Sequence, residues 1–324
     1  RTSVQSPGQM VSEAGPAVAS AKAPYPGIYV FYDTYNIDPA EYPHLTGGNL
    51  PFNWDDIEIQ DDFFDWSVVD RWLEKEASLG KPTSVGFSFY DGRCCGGTRV
   101  PRWLVLEDAE TVLRCDALQW PIPSYGNARL KEEYREFIQA FAARYDDDPR
   151  IAWIQMGTGI FGEAKPSDSS DWPCLLDAGL TEEVWIDYSK EVMEYFADAF
   201  QNTPVLYQFA PVYHPESQSI RQRRWLTDYA ASLGLGLKHN GLGPDANAAI
   251  VDNPDKSYYK AGQWDPFHTW WQDVPVAWES YDTQRCVDYK TGERSAGITM
   301  WCIYAGLNAH ADYLVLSRGI VTDP

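Results

Sequence analysis

A chain of 324 residues, 44% of them hydrophobic, can bury a large core in one domain without a metal or disulfide to hold it together. Its formal charge of −21 and sequence pI of about 4.5 repel phosphate backbones and anionic headgroups, which argues against nucleic acid or a membrane surface as partner. No apolar run is long enough to span a bilayer, and neither a signal peptide nor a membrane segment is read in the chain.

Residues 1–24 are small and polar with scattered Pro and Gly, and read as a disordered leader or linker ahead of one folded domain, 25–324. From Gly27 onward short apolar runs alternate with amphipathic stretches, the pattern of a parallel sheet wrapped by helices. The predicted strands begin with Ile28–Tyr32, followed by a second around Leu50–Ile57. A helix over Trp66–Ser78 carries Val69, Trp72 and Leu73 at three-to-four spacing, and Gly80 ends it. The third strand is predicted at Ser84–Tyr90; a long loop through Trp120 then leads to a helix over Leu130–Tyr145. Ile151–Met156 is the fourth strand, and Thr181 caps a helix that runs to Phe200. Val205–Phe209 is the fifth, followed by a helix over Ile220–Leu233 and a sixth strand at Gly234–Lys238. A Trp-rich helix at Pro266–Trp271 precedes the seventh strand, Pro275–Trp278. Gly297–Ile303 is predicted as the eighth, with a last helix starting in Ala309–Leu316. Eight strands with mostly helical connections predict an α/β fold, a single-domain (β/α)8 TIM barrel; no Gly-rich phosphate turn follows the first strand, as an open dinucleotide-binding sheet would require.

The six cysteines, Cys94, Cys95, Cys115, Cys174, Cys286 and Cys302, lack the paired spacing of a zinc site, and the five histidines are scattered. No metal and no cofactor are expected. An even count suits an oxidising compartment, secreted or periplasmic, with adjacent Cys94 and Cys95 expected to take different partners, Cys115 and Cys174 among the choices. Aromatic residues make up 15% of the chain, an excess that suits stacking on sugar rings as well as filling a core.

In such barrels chemistry sits at the C-terminal ends of the strands, so polar residues there are the candidates. They are Asp33; Trp54, Asp55, Asp56 and Glu58; Tyr90 and Asp91; Glu163; Gln208; Lys238, His239 and Asn240; Glu279 and Tyr281; and Trp301 and Tyr304. Hydrolysis of a glycosidic bond needs one carboxylic acid to protonate the leaving oxygen and one carboxylate to attack the anomeric carbon or activate water. Glu163 after strand four and Glu279 after strand seven lie three strands apart around the ring, on facing sides of a mouth. The glycines of Gly157-Thr-Gly-Ile-Phe-Gly162 let the chain turn tightly and bring Glu163 back over that mouth. Each candidate also has a structural reading: Glu279 as an ion-pair partner, Glu163 as a solvated loop acid, His239 and Asn240 as satisfied polar residues, Trp301 as core. Trp54, Asp55, Glu58, Tyr90, Gln208, His239, Asn240, Tyr281 and Trp301 are the expected sugar-binding set.

Asn53-Trp-Asp-Asp-Ile-Glu58, Phe64-Asp-Trp66, Val69-Asp70 and Leu79-Gly-Lys81 resemble the second-strand module of clan A glycoside hydrolases, the β-galactosidase and related families. Phe141-Ala-Ala-Arg-Tyr-Asp146, Asp148-Pro149 and Ile151-Ala-Trp153 resemble the run into their fourth strand, and Gly159-Ile-Phe-Gly-Glu163 a variant of its end. The resemblance spans residues 27–316. It implies a retaining O-glycosidase acting on a poly- or oligosaccharide, with Glu163 as acid/base and Glu279 as nucleophile. The sequence departs from the clan at Gly162, where an Asn that contacts the sugar 2-hydroxyl usually stands; Asn240 or His239 would have to supply that contact. The rival expectations are an inverting hydrolase, a polysaccharide lyase using Tyr90, Lys238 and His239, and a non-catalytic carbohydrate-binding barrel. A monomer is expected.

Overall fold

The computed structural model describes residues 22–114, 121–209, 216–243, 266–280, 286, 291, 293 and 295–323. Eight parallel strands close into a barrel in chain order: Gly27–Phe31 (β1), Leu45–Asn53 (β2), Thr83–Ser88 (β3), Ile151–Gln155 (β4), Val205–Phe209 (β5), Gly236–His239 (β6), Val276–Ser280 (β7) and Tyr313–Ser317 (β8). β1 pairs with both β2 and β8, which closes the ring. Around it lie Ser67–Ser78 (α1), Ala128–Tyr145 (α2), Glu182–Ala199 (α3), Glu216–Ser232 (α4), Ala296–Asn308 (α5) and Arg318–Thr322 (α6). This is the (β/α)8 barrel expected. Asn127 and Thr181 cap α2 and α3 by accepting from Leu130 N (2.8 Å) and Val184 N (3.3 Å).

Three elements differ from expectation. The second strand starts at Leu45 and ends at Asn53, and Trp54–Ile57 form one helical turn. Its early half was hidden because Gly47 and Gly48 carry no apolar signal; a Cβ on Gly47 would sit 2.0 Å from Pro82 O, so the close strand approach requires glycine. Gly297–Ile303 belongs to α5, capped by Ser295, whereas Tyr313–Ser317, read as helix, is the eighth strand. Short apolar runs do not separate buried strand from buried helix, and α5 is apolar on nearly every side. The cysteine pairing is also corrected: Cys94 and Cys95 bond to each other, their Cα atoms 3.8 Å apart. Gly92, Gly96 and Gly97, all at positive φ, give that loop the freedom it needs. Cys286 bonds Cys302 and so ties the segment before α5 to that helix, and Cys174 is bonded as well. The leader at residues 1–21, Cys115 and Tyr281 lie outside the described residues.

The largest core fills the space between barrel and helices, where Trp54, Phe87, Phe89, Tyr134, Phe137 and Phe141 pack without solvent between β2, β3 and α2. A second, smaller core plugs the barrel's interior. Trp153 stacks on Tyr313 with centroids 5.4 Å apart, and Tyr29 meets both edge-on. The hydroxyls of Tyr29 and Tyr313 donate to Tyr25 O and Pro24 O, in the chain that leads into β1, so this plug marks the barrel's N-terminal end. Residues two apart share a face of a strand, so the next inward positions include Gln155, Gln208, Lys238 and Glu279, with Ser317 beyond Val315 on β8, all buried. The interior is therefore apolar below and polar above.

Residues 32–44 join β1 to β2 without a helix. A buried charge cluster holds this connection. Lys81 Nζ lies 2.7 Å from both Asp33 Oδ2 and Glu76 Oε2, with no side chain exposed. It also donates to Ile37 O at 3.0 Å, and Asn36 donates to Glu76 Oε1 at 2.7 Å. Burial pushes the Glu76 carboxyl up, and Lys81 opposes that shift. Asp33, a candidate at the first strand's end, is thus committed to structure. Lys81→Met should lower stability by about 3–5 kcal/mol, because two carboxylates would lose their common cation in a dry site; urea unfolding of the two proteins measures it.

Candidate functional site

Glu163 is brought back over the mouth by a turn built on special backbone. After β4, Phe161 (φ 57°) and Gly162 (φ 75°) occupy left-handed conformations, and a Cβ on Gly162 would sit 2.8 Å from Phe87 O. Glu163 N donates to Ile160 O at 2.9 Å and Ala164 N to Gln208 O at 3.0 Å, which ties the turn to β5. The glycine-driven return expected from sequence is what the backbone does. Its carboxylate, 7% exposed, accepts from Asn240 Nδ2 and from Gln208 Nε2 (3.4 Å) at Oε1, while Lys165 Nζ lies 3.1 Å from Oε2.

Glu279, expected just after the seventh strand, is an inward residue within β7 and is 2% exposed. Lys238 Nζ, from the neighbouring β6, donates to its Oε2 and, at 2.7 Å, to Gln208 Oε1. Burial drives the Glu279 carboxyl up; Lys238 pulls it back, and Glu163 adds to the upward push. The two glutamates are therefore linked across β5 and β6: Glu163 accepts from Gln208, and Gln208 accepts from the Lys238 that also holds Glu279.

The other candidates divide. Asp55 sits at the end of β2, 4.0 Å from Arg99, which in turn donates to Asp91 Oδ2 at 2.8 Å. Burial, with help from Asp56, pushes its carboxyl up to about 7. Tyr90 is fully buried behind the Glu163 turn: its carbonyl accepts from Phe161 N at 2.8 Å and its hydroxyl donates to Ser167 Oγ at 3.2 Å. Ser167 donates to Asp171, whose other oxygen meets Arg93, so Tyr90 braces the loop. Trp54 is core, and its indole donates to Glu58 at 2.6 Å. Glu58 is pushed up to about 7 by burial, and its charged neighbours are Glu133 on α2 and Asp61 in the turn that joins the short antiparallel strands Glu58–Gln60 and Phe63–Phe64. His239 points outward from β6 among Phe209, Phe267 and Trp278, and accepts from Gly241 N at 2.8 Å. Trp301 stands on α5 with 59% of its surface exposed, not at a strand end.

Sequence reading did not single out Lys165, and it assigned Lys238 only to a lyase. A lysine at an inward position of a short buried strand, Gly236-Leu-Lys-His239, was the available signal, since a buried cation requires an anionic partner. Among the described residues no group of three or more His, Cys, Asp or Glu is placed to hold a metal ion, and no helix is long and apolar enough to cross a membrane.

No protein-family model and no curated protein matches the chain. Solved structures do. The catalytic domain of β-amylase from Paenibacillus polymyxa is 12% identical over 94% of this chain and 95% of that one, with a TM-score of 0.61. An exo-β-1,4-mannosidase from Opitutaceae bacterium strain TAV5 is 13% identical over 95% of this chain and 54% of its own, with a TM-score of 0.53. The barrel is what they share. The resemblance to glycoside hydrolase barrels is thus met at the level of the fold, which at these identities is as far as the likeness reaches.

The Gly162 turn makes a direct test of the site's construction. Gly162→Ala should lower stability by about 2–4 kcal/mol, from left-handed backbone plus a clash with Phe87 O. Gly179→Ala, also at positive φ but with open space around its Cβ, should lose only about 1–2 kcal/mol. Equal losses in chemical denaturation would show that Gly162 is not packed against β3.

Proposed function

We propose that this chain is a retaining glycoside hydrolase acting on a poly- or oligosaccharide, with Glu279 as nucleophile and Glu163 as acid/base. The observation that carries this reading is the convergence of two buried carboxylates, one from beyond β4 and one from β7, on the inward side chains at one end of a barrel. The likeness of the whole barrel to β-amylase and mannosidase structures supports it.

In the first step Glu279, held through Oε2 by Lys238, attacks the anomeric carbon with its other oxygen while Glu163 gives its proton to the leaving oxygen. A glycosyl ester and a free alcohol result. In the second step Glu163 takes a proton from water, the resulting hydroxide attacks the anomeric carbon, and the ester bond to Glu279 breaks. A lyase is less well supported: it needs a cation free to neutralise a uronate carboxylate, whereas Lys238 and Lys165 face the two glutamates. Tyr90 and His239, its candidate bases, are packed away from the mouth. Asn240 donates to Glu163, which fits a role in orienting the acid/base. The bonded cysteines support a secreted or periplasmic setting.

A screen of polysaccharides and chromogenic glycosides, with the product's anomeric proton followed by NMR, tests the proposal. Retention is the expected outcome. Glu279→Gln and Glu163→Gln should each lower kcat/KM by about 1,000-fold or more, several kcal/mol of barrier each. Near-normal turnover by Glu279→Gln would remove it as nucleophile, and an inverted product would make it the base that activates water.

A further inference from the structure

We infer that Lys238 and Gln208 are positioning residues that together set the charge of Glu279 and its placement relative to Glu163. The inference rests on the two-carboxylate reading above and assigns work to side chains that need not touch the sugar.

A lysine only donates hydrogen bonds, so the Gln208 oxygen must be the atom that faces Lys238. Its NH2 is thereby turned to Glu163 Oε1. One amide thus spans the two halves of the site with its polarity fixed by the cation. A Glu in its place would put a third carboxylate between two others, and an apolar residue would break the link. Lys238 itself is fully buried, and its ammonium bonds Glu279 on one side and Gln208 on the other. Its stem is clamped in β6, paired at Lys238 with Gln208 and Ala277. The cation therefore has little freedom to leave.

Among the described residues few other charged groups reach Glu279. Beside it β8 presents Val315, and β6 turns the His239 ring outward among Phe209, Phe267 and Trp278. The charged groups acting on it among the described residues are Lys238 on β6 and Glu163 beyond β4; Glu163 is itself paired with Lys165. Take Lys238 away, and burial and a like charge both disfavour the carboxylate. A nucleophile must be ionised, so the acid limb of the activity profile would then start at higher pH.

Rates measured across the acidic and neutral range in wild type, Lys238→Met, Lys238→Arg and Gln208→Leu test this. In Lys238→Met the acid limb of kcat/KM should move up by about one pH unit or more, as loss of a close opposite charge does. Lys238→Arg should return the limb towards its original place. Gln208→Leu should lower kcat by about 10–100-fold with KM little changed, the mark of misplaced groups rather than lost binding. If Glu279→Gln is inactive but Lys238→Met leaves the acid limb where it was, the two-carboxylate reading stands and this inference falls. If Glu279→Gln itself turns over normally, the reading beneath it has failed. Should Lys238→Met fold poorly, melting curves of Lys238→Met in the Glu279→Gln background decide the matter. Recovery of the lost stability there supports the pairing, and an equal loss in both backgrounds overturns it.

Discussion

The contact between Lys238 and Glu279 is the constraint around which the upper barrel is organised. An ammonium and a carboxylate taken out of water each lose hydration worth several kcal/mol, and only a close, well-donated pair offsets that. Lys238 achieves this because adjacent parallel strands place their inward residues side by side: Lys238 stands next to Ala277 in register, and Glu279 is the next inward residue along β7. The same rule explains the second buried lysine. Lys81 lies outside the barrel, between β2 and α1, and holds Asp33 and Glu76. Gly48 makes room for that cluster, since a Cβ there would lie 2.5 Å from Glu76 Oε2. In both places a lysine appears where carboxylates have been buried, but only at β6 does the cluster open on the end of the barrel where such folds carry their chemistry.

This division follows from how the interior is filled. Trp153, Tyr29 and Tyr313 occupy the N-terminal end and exclude water there. With that end closed and the outer core packed on α1 and α2, the stability of the barrel does not depend on the upper layer being apolar. That layer is free to carry Gln155, Gln208, Lys238 and Glu279. Two residues of strand separate the aromatic Trp153 from Gln155, or Ala277 from Glu279, so the change from plug to site takes a single pleat.

Strand alternation also explains what was legible in the sequence. The barrel could be counted because apolar runs and amphipathic helices alternate along the chain, and β3, β4 and β5 were bounded to within a residue or two. Gln208 was read on the fifth strand, where it lies, Glu279 was read just beyond the seventh strand but lies within it, and the glycines around Gly162 announced the return of Glu163. His239 failed by one position: it adjoins Lys238, and in a strand a neighbour faces the opposite side. Trp54 and Glu58 failed for another reason. The chain leaves extended geometry at Asn53, so strand parity no longer says where a side chain goes, and the helical turn sends both toward α2. Trp301 failed because α5 is apolar nearly all round, which removes the periodicity that separates helix from strand.

The likeness to a β-amylase catalytic domain at 12% identity has the same physical basis. A closed parallel barrel demands pattern rather than particular residues: alternation in eight strands, amphipathic helices, glycine where strands or turns approach closely. The upper layer carries a different demand. Gln155 Oε1 and Ser317 Oγ are buried there without a protein partner. Such atoms lower stability unless water or a ligand hydroxyl meets them. A barrel selected for stability alone would replace them with the Val, Ile and Leu that fill interiors well. Polar atoms left open beside two buried carboxylates are what a site for a hydroxyl-rich molecule requires, because each such atom rewards a correctly placed hydroxyl and penalises an apolar group in its place. On the glycosidase reading proposed above, the same residues that weaken the barrel as a scaffold are the ones able to discriminate between sugars.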